Sequence, residues 1–105
     1  MDRIRQLEEF LNDDPHDPFN TYALALEYQK VDVKKAYALF DQLLGSHPDY
    51  IPTYYTFAHL LIDIQQVEKA ETVFKQGIEF AKRANDVKAL RELTNAYNNW
   101  LFEQS

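Results

Sequence analysis

The sequence has no cysteine, only two glycines, four prolines and one tryptophan among its 105 residues. The absence of cysteine excludes disulfides, thiolate catalysis and cysteine-ligated zinc. No apolar run approaches the roughly 20 residues that span a bilayer, so a membrane protein is not expected. No basic segment followed by an apolar one opens the sequence, so no secretory signal is expected and the predicted location is the cytoplasm.

Acidic residues outnumber basic ones, which gives a formal net charge of −6 at pH 7. Binding to phosphate backbones or anionic lipid requires clustered Lys and Arg, so neither a nucleic-acid nor a membrane partner is expected. Hydrophobic residues at 46% and charged residues at 27% are typical of a globular protein with one core. The small basic groups are Lys34 with Lys35, and Lys82, Arg83, Lys88 and Arg91.

Apolar residues recur at intervals of three and four almost throughout, which predicts helices, and no sustained alternation predicts a strand. Prolines at positions 15, 18, 48 and 52 mark places where helices stop and restart. The predicted helices span residues 2–13, 18–30, 33–45, 51–64, 67–84 and 86–103. Because the connections are short, sequential helices are expected to be antiparallel neighbours.

Local signals refine several of these boundaries. Asp17 before Pro18 predicts an N-cap followed by a proline at the first helical position. Gly45 predicts a left-handed residue that ends a helix. Asn85 or Asp86 is expected to provide the break and the cap before the last helix.

Two parts of the sequence repeat at an interval of 34 residues. Lys35, Ala36, Phe40 and Leu44 correspond to Lys69, Ala70, Phe74 and Ile78. Such a period is typical of helical hairpins that bury their apolar faces only by stacking. In the preceding helices Thr21, Leu24, Ala25 and Tyr28 correspond to Tyr54, Phe57, Ala58 and Leu61. The first copy is one residue shorter between Tyr28 and Ala36, which predicts a tighter turn there.

These spacings resemble the tetratricopeptide repeat family, although Lys82 stands where the family pattern has a proline. The resemblance implies an all-α fold in which antiparallel helical hairpins stack as a short right-handed solenoid. It divides a single domain into an N-terminal half-repeat helix at 1–15, repeats at 16–49 and 50–84, and a capping helix at 85–105.

The family pattern also predicts the core. Small residues on both helices of each hairpin let the two helices approach closely, and they are Ala25, Ala36, Ala58 and Ala70. Phe40 and Phe74 are then expected to fill the space between one hairpin and the next. A large residue at one of the alanine positions should overpack the core.

The resemblance implies a concave groove, lined by the first helices of the repeats, in which partners bind. The predicted peptide-binding residues are Phe19, Tyr22, Leu26, Tyr55, His59, Ile62, Arg91 and Asn95, and Gln29, Asp63 and Asn98 complete the same face. Aromatic, aliphatic and amide groups together suit a peptide that needs apolar pockets and hydrogen-bond partners. In the alternative interpretation the apolar members belong to the core and the polar members to an ordinary solvated face.

No arrangement of residues indicates catalysis or metal binding. His16 lies in the acidic stretch NDDPHDP, which a polar linker explains better than a metal loop. His59 and Asp63 lie one helical turn apart, a spacing that can share a metal but is more often a surface hydrogen bond. The Ser-His pair at 46–47 has no plausible acid. We therefore expect no catalytic residue, no metal, no cofactor and no enzymatic activity.

The predicted function is a protein-interaction module or scaffold that binds a peptide segment of a partner. The alternative is a self-assembling structural protein that forms a homodimer through the groove or through the Trp100 region, because Trp100, Leu101 and Phe102 cannot all face inward from one helix. A carboxylate clamp of the kind some family members use is not expected, since Tyr22 and Leu26 occupy the corresponding positions.

Overall fold

The computed structural model describes residues 2–104, which form six α-helices and no strand. The helices are α1 Asp2–Asp13, α2 Pro18–Gln29, α3 Val33–Ser46, α4 Pro52–Asp63, α5 Val67–Arg83 and α6 Val87–Gln104. Each helix boundary lies within one residue of the predicted position, which confirms the helices predicted from the spacing of apolar residues. None of the helices within residues 2–104 is long and apolar enough to cross a membrane.

Aspartate side chains start three of the helices. The Asp17 carboxylate accepts a hydrogen bond from the Phe19 N–H at 3.0 Å, directly before the proline that opens α2, as predicted. The Asp86 carboxylate accepts one from the Ala89 N–H at 3.0 Å at the start of α6. Asp32 caps α3 in the same way, at 3.3 Å. Each bond satisfies an N–H group that has no partner within its helix.

Helices α4 and α5 both end in a Schellman motif, with a left-handed residue just after the helix. These residues are Gln65, with φ of 63°, and Asn85, with φ of 56°. After α4 the Gln66 N–H donates to the Leu61 carbonyl at 2.8 Å, and the Gln65 N–H donates to the Ile62 carbonyl at 3.0 Å. The equivalent bonds around Asn85 are 3.0 and 3.1 Å long. The predicted break at Asn85 is therefore confirmed.

The prediction that Gly45 ends its helix in a left-handed conformation is wrong. Helix α3 continues through Gly45 to Ser46, and neither glycine has a positive φ. The helix ends at His47, whose φ of −137° and ψ of 65° are not helical. The cause is Pro48, because the ring of a proline disfavours helical conformation at the residue before it.

The missing residue of the first copy does not shorten the connection between its helices. Three residues join α2 to α3, and three join α4 to α5. Ala25 lies four residues before the end of α2, whereas Ala58 lies five residues before the end of α4. The deletion therefore falls in the last turn of α2. The turn that follows has no left-handed residue, and the N–H groups of Val31 and Asp32 both donate to the Tyr28 carbonyl, at 2.9 and 2.6 Å.

The chain divides into two compact units, with the boundary after Tyr50. In the first unit α2 packs against both α1 and α3. In the second unit α5 packs against α4 and α6, and α4 also contacts α6. One tyrosine hydroxyl joins two helices in each unit: Tyr28 donates to Glu8 at 2.7 Å, and Tyr97 donates to Glu71 at 2.7 Å.

The residues predicted to form the core are fully buried, and they are Ala25, Ala36, Ala58, Ala70, Phe40 and Phe74. Trp100 is also buried, with its ring centroid 5.8 Å from that of Phe74. The two residues after it are exposed, Leu101 at 38% and Phe102 at 79%. The expectation that the three apolar residues at the end of α6 cannot all face inward is confirmed, and Trp100 is the one in the core.

Gly77 marks the closest approach of α5 to its neighbours. A Cβ atom at this position would lie 2.5 Å from Cβ of Tyr54 and 3.2 Å from Cδ1 of Leu93. Tyr54 is fully buried and its ring stacks on that of Phe80 at 5.8 Å, so it has little freedom to move away. Glycine therefore allows α5 to pack tightly against both α4 and α6.

The substitution Gly77→Ala is expected to lower the free energy of unfolding by about 1–3 kcal/mol, because the added methyl group overlaps the buried Tyr54 side chain. Gly45→Ala is the matched control, since a Cβ there meets nothing within 4 Å and the position is helical. It should raise stability by about 0.5–1 kcal/mol through helix propensity and the entropy of the unfolded chain. Urea denaturation followed by circular dichroism measures both; equal effects would contradict the close packing at Gly77.

Candidate functional site

The exposed face of α4 carries two of the predicted binding residues in contact with each other. The rings of Tyr55 and His59 lie 4.4 Å apart between centroids, with 32° between their planes. Nδ1 of His59 lies 2.7 Å from the backbone carbonyl oxygen of Tyr55. A carbonyl oxygen can only accept, so Nδ1 is the donor in this hydrogen bond.

His59 is in turn fixed by the core of the second unit. Its ring meets the ring of Phe74 edge to face at 5.8 Å. On α6 the rings of Tyr97 and Trp100 lie 5.5 and 5.8 Å from that of Phe74. The solvent-facing pair of Tyr55 and His59 therefore rests on a buried aromatic cluster that joins α4, α5 and α6. A side chain supported in this way loses little conformational entropy when it binds a partner.

Tyr55 also borders a cleft between α4 and α6, of about 410 Å³, which we call the α4–α6 cleft. The cleft is lined by Tyr55, Glu92, Asn95, Ala96 and Asn99. The four α6 residues follow the spacing of a single helix face. Their side chains offer a carboxylate, two primary amides and a methyl group beside the aromatic ring. Such a surface can hydrogen-bond a peptide backbone and hold an adjacent side chain.

Of the predicted residues in the second unit, Tyr55 and Asn95 meet in the α4–α6 cleft, with His59 stacked on Tyr55. Ile62 is half-buried on α4, and Arg91 is exposed on α6 outside the lining of the cleft. In the second unit the cleft therefore overlaps the predicted groove only in part, because Tyr55 and Asn95 line it and Ile62 and Arg91 do not.

Three predicted binding residues belong to the first unit. The ring of Tyr22 lies 6.2 Å from that of Phe40 and 5.6 Å from that of Tyr50. Tyr22 and Leu26 are half-buried, whereas Phe19 is 58% exposed at the start of α2. Burial, followed by the nearby Tyr22 and Asp17, raises the pKa of the Tyr50 phenol. Tyr22 is therefore partly a packing residue, as the alternative interpretation of the sequence held.

A second cleft, of about 230 Å³, lies in the first unit. It is lined by Pro15, His16, Thr21, Gln42, Leu43, Ser46 and His47. His16 and His47 come from different connections, so sequence spacing gave no signal that they share a cleft. The lining has no carboxylate to orient either imidazole for nucleophilic catalysis. Within residues 2–104 no three His, Asp or Glu side chains form a group that could hold a metal ion.

Glu92 and Asn99 are candidate site residues that the sequence analysis missed. Asn95 was predicted together with Arg91 and Asn98, which lie on the adjacent line of α6. Glu92 and Asn99 could have been found from the rotational phase of α6, that is, from which of its positions face inward. Leu93 and Trp100, seven residues apart, are the buried positions of α6. These two residues define the inward face of α6. Glu92 directly precedes Leu93, and Asn99 directly precedes Trp100.

A family model described as tetratricopeptide repeat matches residues 28–93. A solution NMR structure of a tetratricopeptide repeat domain protein from Salinibacter ruber is similar with a TM-score of 0.78 and 40% identity, over 82% of this chain and 88% of that one. A crystal structure of a tetratricopeptide repeat domain protein from the same organism has a TM-score of 0.72 at 40% identity, over 77% and 92%. No curated protein matches the sequence.

The raised pKa of Tyr97 predicts a pH dependence of stability. Burial, then this bond and the charge of Glu71, raises the pKa of Tyr97 above its ordinary value of 10.0. The folded protein therefore holds the phenol proton more tightly than the unfolded chain does. The stabilisation is present in full below the ordinary pKa and is lost as the pH rises through the folded-state value.

We expect Tyr97→Phe to lose less stability than the parent protein when the pH is raised from about 9 to about 11. Urea denaturation at a series of pH values measures the difference. Tyr55→Phe is the control, because the Tyr55 hydroxyl makes no hydrogen bond to the residues at 2–104. Parallel pH curves for the parent and Tyr97→Phe would show that folding does not raise the pKa of Tyr97.

Proposed function

Because the chain belongs to the tetratricopeptide repeat family, whose members generally mediate protein–protein interactions, we propose that it is a non-enzymatic interaction module that binds a peptide segment of a partner protein. In this proposal the repeats at 16–49 and 50–84 form the scaffold, and the capping helix at 85–105 completes the binding surface. The proposed location is the cytoplasm.

The observation that carries the proposal is the exposed but rigidly supported Tyr55 at the edge of the α4–α6 cleft. Its side chain is 43% exposed, although its neighbour His59 packs against the buried Phe74. Aromatic anchors supported in this way dominate many protein interfaces, since they offer a large contact area with few rotatable bonds. The amides of Asn95 and Asn99 supply the donors and acceptors that an extended backbone requires.

A displayed library of random short peptides tests the proposal. We expect the parent protein to enrich a family of related peptides, and Tyr55→Ala to bind the enriched peptides at least about tenfold more weakly, as expected for a hot-spot aromatic residue. Phe10→Ala is the control, because Phe10 is a similarly exposed aromatic residue, at 52%, on α1. Binding can be measured by fluorescence anisotropy. Failure to enrich any peptide, or equal losses in the two variants, would reject the α4–α6 cleft as the binding surface.

Self-assembly is the second candidate function, and Phe102 is the observation that favours it. At 79% exposure Phe102 is the most exposed large apolar side chain among residues 2–104, and Leu101 beside it is 38% exposed. Apolar residues at one end of a helix can form a contact between copies.

Light scattering over a concentration series separates the two functions. As an interaction module the protein should keep its monomer mass of 12.4 kDa at every concentration. If it self-assembles through the end of α6, the mass should double, and Phe102→Ser should restore the monomer. Val87→Ser, at the exposed start of the same helix, is the control. Trp100 is unsuitable for this test, because its replacement by alanine would remove a core side chain at a cost of about 3–5 kcal/mol.

A further inference from the structure

The α4–α6 cleft contains one full charge, and it is negative. Glu92 lines the cleft, and no lysine or arginine does. Two other carboxylates of the second unit have cationic partners one helical turn away: Glu71 lies 3.9 Å from Lys75, and Glu79 lies 3.5 Å from Arg83. Glu92 makes no such ion pair within residues 2–104, although Lys88 stands four residues before it. The cleft therefore presents an exposed carboxylate that is available to a cation of a bound partner.

The ring of Tyr55 provides a second feature that suits a cation. Aromatic faces attract ammonium and guanidinium groups, and several rings among residues 2–104 already have such a partner. Lys35 lies 5.2 Å from the ring centroid of Tyr28, Lys69 lies 5.5 Å from that of Phe57, and Arg83 lies 5.4 Å from that of Phe80. Among residues 2–104 the ring of Tyr55 contacts the His59 ring and has no cation over it. Its exposed part borders the same cleft as Glu92.

The C-terminal end of α6 adds to the negative potential. The last turn of this helix has no basic residue, and it contains Glu103. Glu103 lies four residues after Asn99, on the same side of the helix. An acidic segment laid along this face would meet repulsion from Glu92 at one end and from Glu103 at the other.

From these three features we infer that the α4–α6 cleft binds a peptide segment that carries a lysine or arginine. The cationic group lies between the Glu92 carboxylate and the ring of Tyr55, and the amides of Asn95 and Asn99 hydrogen-bond the peptide backbone. This inference rests on the proposed peptide-binding function and adds the chemistry of the ligand. Lys88 and Arg91 lie outside the lining of the cleft.

The experiment uses the peptides enriched on the parent protein from the random library. We expect them to share a lysine or arginine at one position. Two synthetic peptides are then prepared: the most enriched sequence, and a copy in which norleucine or glutamine replaces the basic residue. Each peptide is titrated against the parent protein, Glu92→Gln and Glu79→Gln. Glu79→Gln is the control, because it changes the net charge equally and lies on α5, outside the cleft.

Glu92→Gln should weaken binding of the basic peptide by roughly three- to fivefold, the range of a partly exposed ion pair. The loss should disappear with the uncharged peptide, and it should shrink when NaCl is raised from about 50 to about 500 mM. Glu79→Gln should leave the affinity unchanged. This double-mutant cycle isolates the pairing of Glu92 with the cation of the peptide.

Different failures identify different errors. If peptides are enriched on the parent and lost with Tyr55→Ala but share no basic residue, the inferred ligand is wrong and the peptide-binding function stands. The same holds if Glu92→Gln weakens the basic and the uncharged peptides equally, or if the enriched peptides are acidic. If no peptide is enriched at all, the proposed function fails together with the inference.

Discussion

The packing of Phe74 is the interaction on which the second unit depends. Its fully buried ring meets His59 of α4 and both Tyr97 and Trp100 of α6, so one side chain of α5 contacts both neighbouring helices. Gly77, one turn further along α5, permits the close approach that these contacts require. Because the same cluster positions His59 beneath Tyr55, the core and the candidate binding surface share their supporting residues.

Most of the fold could be predicted because its determinants are local. Proline, an aspartate before a helix and the spacing of apolar residues place every helix end within one residue. Two such signals compete at the end of α3, because both Gly45 and Pro48 indicate that the helix should end there. Glycine only permits a left-handed turn, whereas Pro48 disfavours helical conformation at the residue before it, and α3 ends directly before His47.

The candidate site could be predicted only in part, because it depends on how the helices are rotated against each other. Tyr55, His59 and Asn95 were found through the family's groove positions, and the structure places all three in or beside one cleft. The sequence analysis placed Arg91 on the binding face of α6, whereas the structure places the next residue, Glu92, in the cleft. This difference of one position reverses the charge of the candidate surface. His16 and His47 share a cleft through tertiary packing alone, which no spacing in the sequence encodes.

The distribution of charge bears on the inferred binding of a basic segment. Residues 1–50 contain ten acidic and five basic residues, whereas residues 51–105 contain seven and six. Exposed charges are screened beyond about 8–10 Å at physiological ionic strength, so the excess negative charge of the first unit acts mainly on ions close to that unit. Discrimination of a basic side chain requires contact at short range, and the second unit, whose net charge is close to zero, presents the carboxylate of Glu92 in its cleft. In the inferred interaction, selectivity for basic peptides therefore depends on Glu92 rather than on the net charge of the protein.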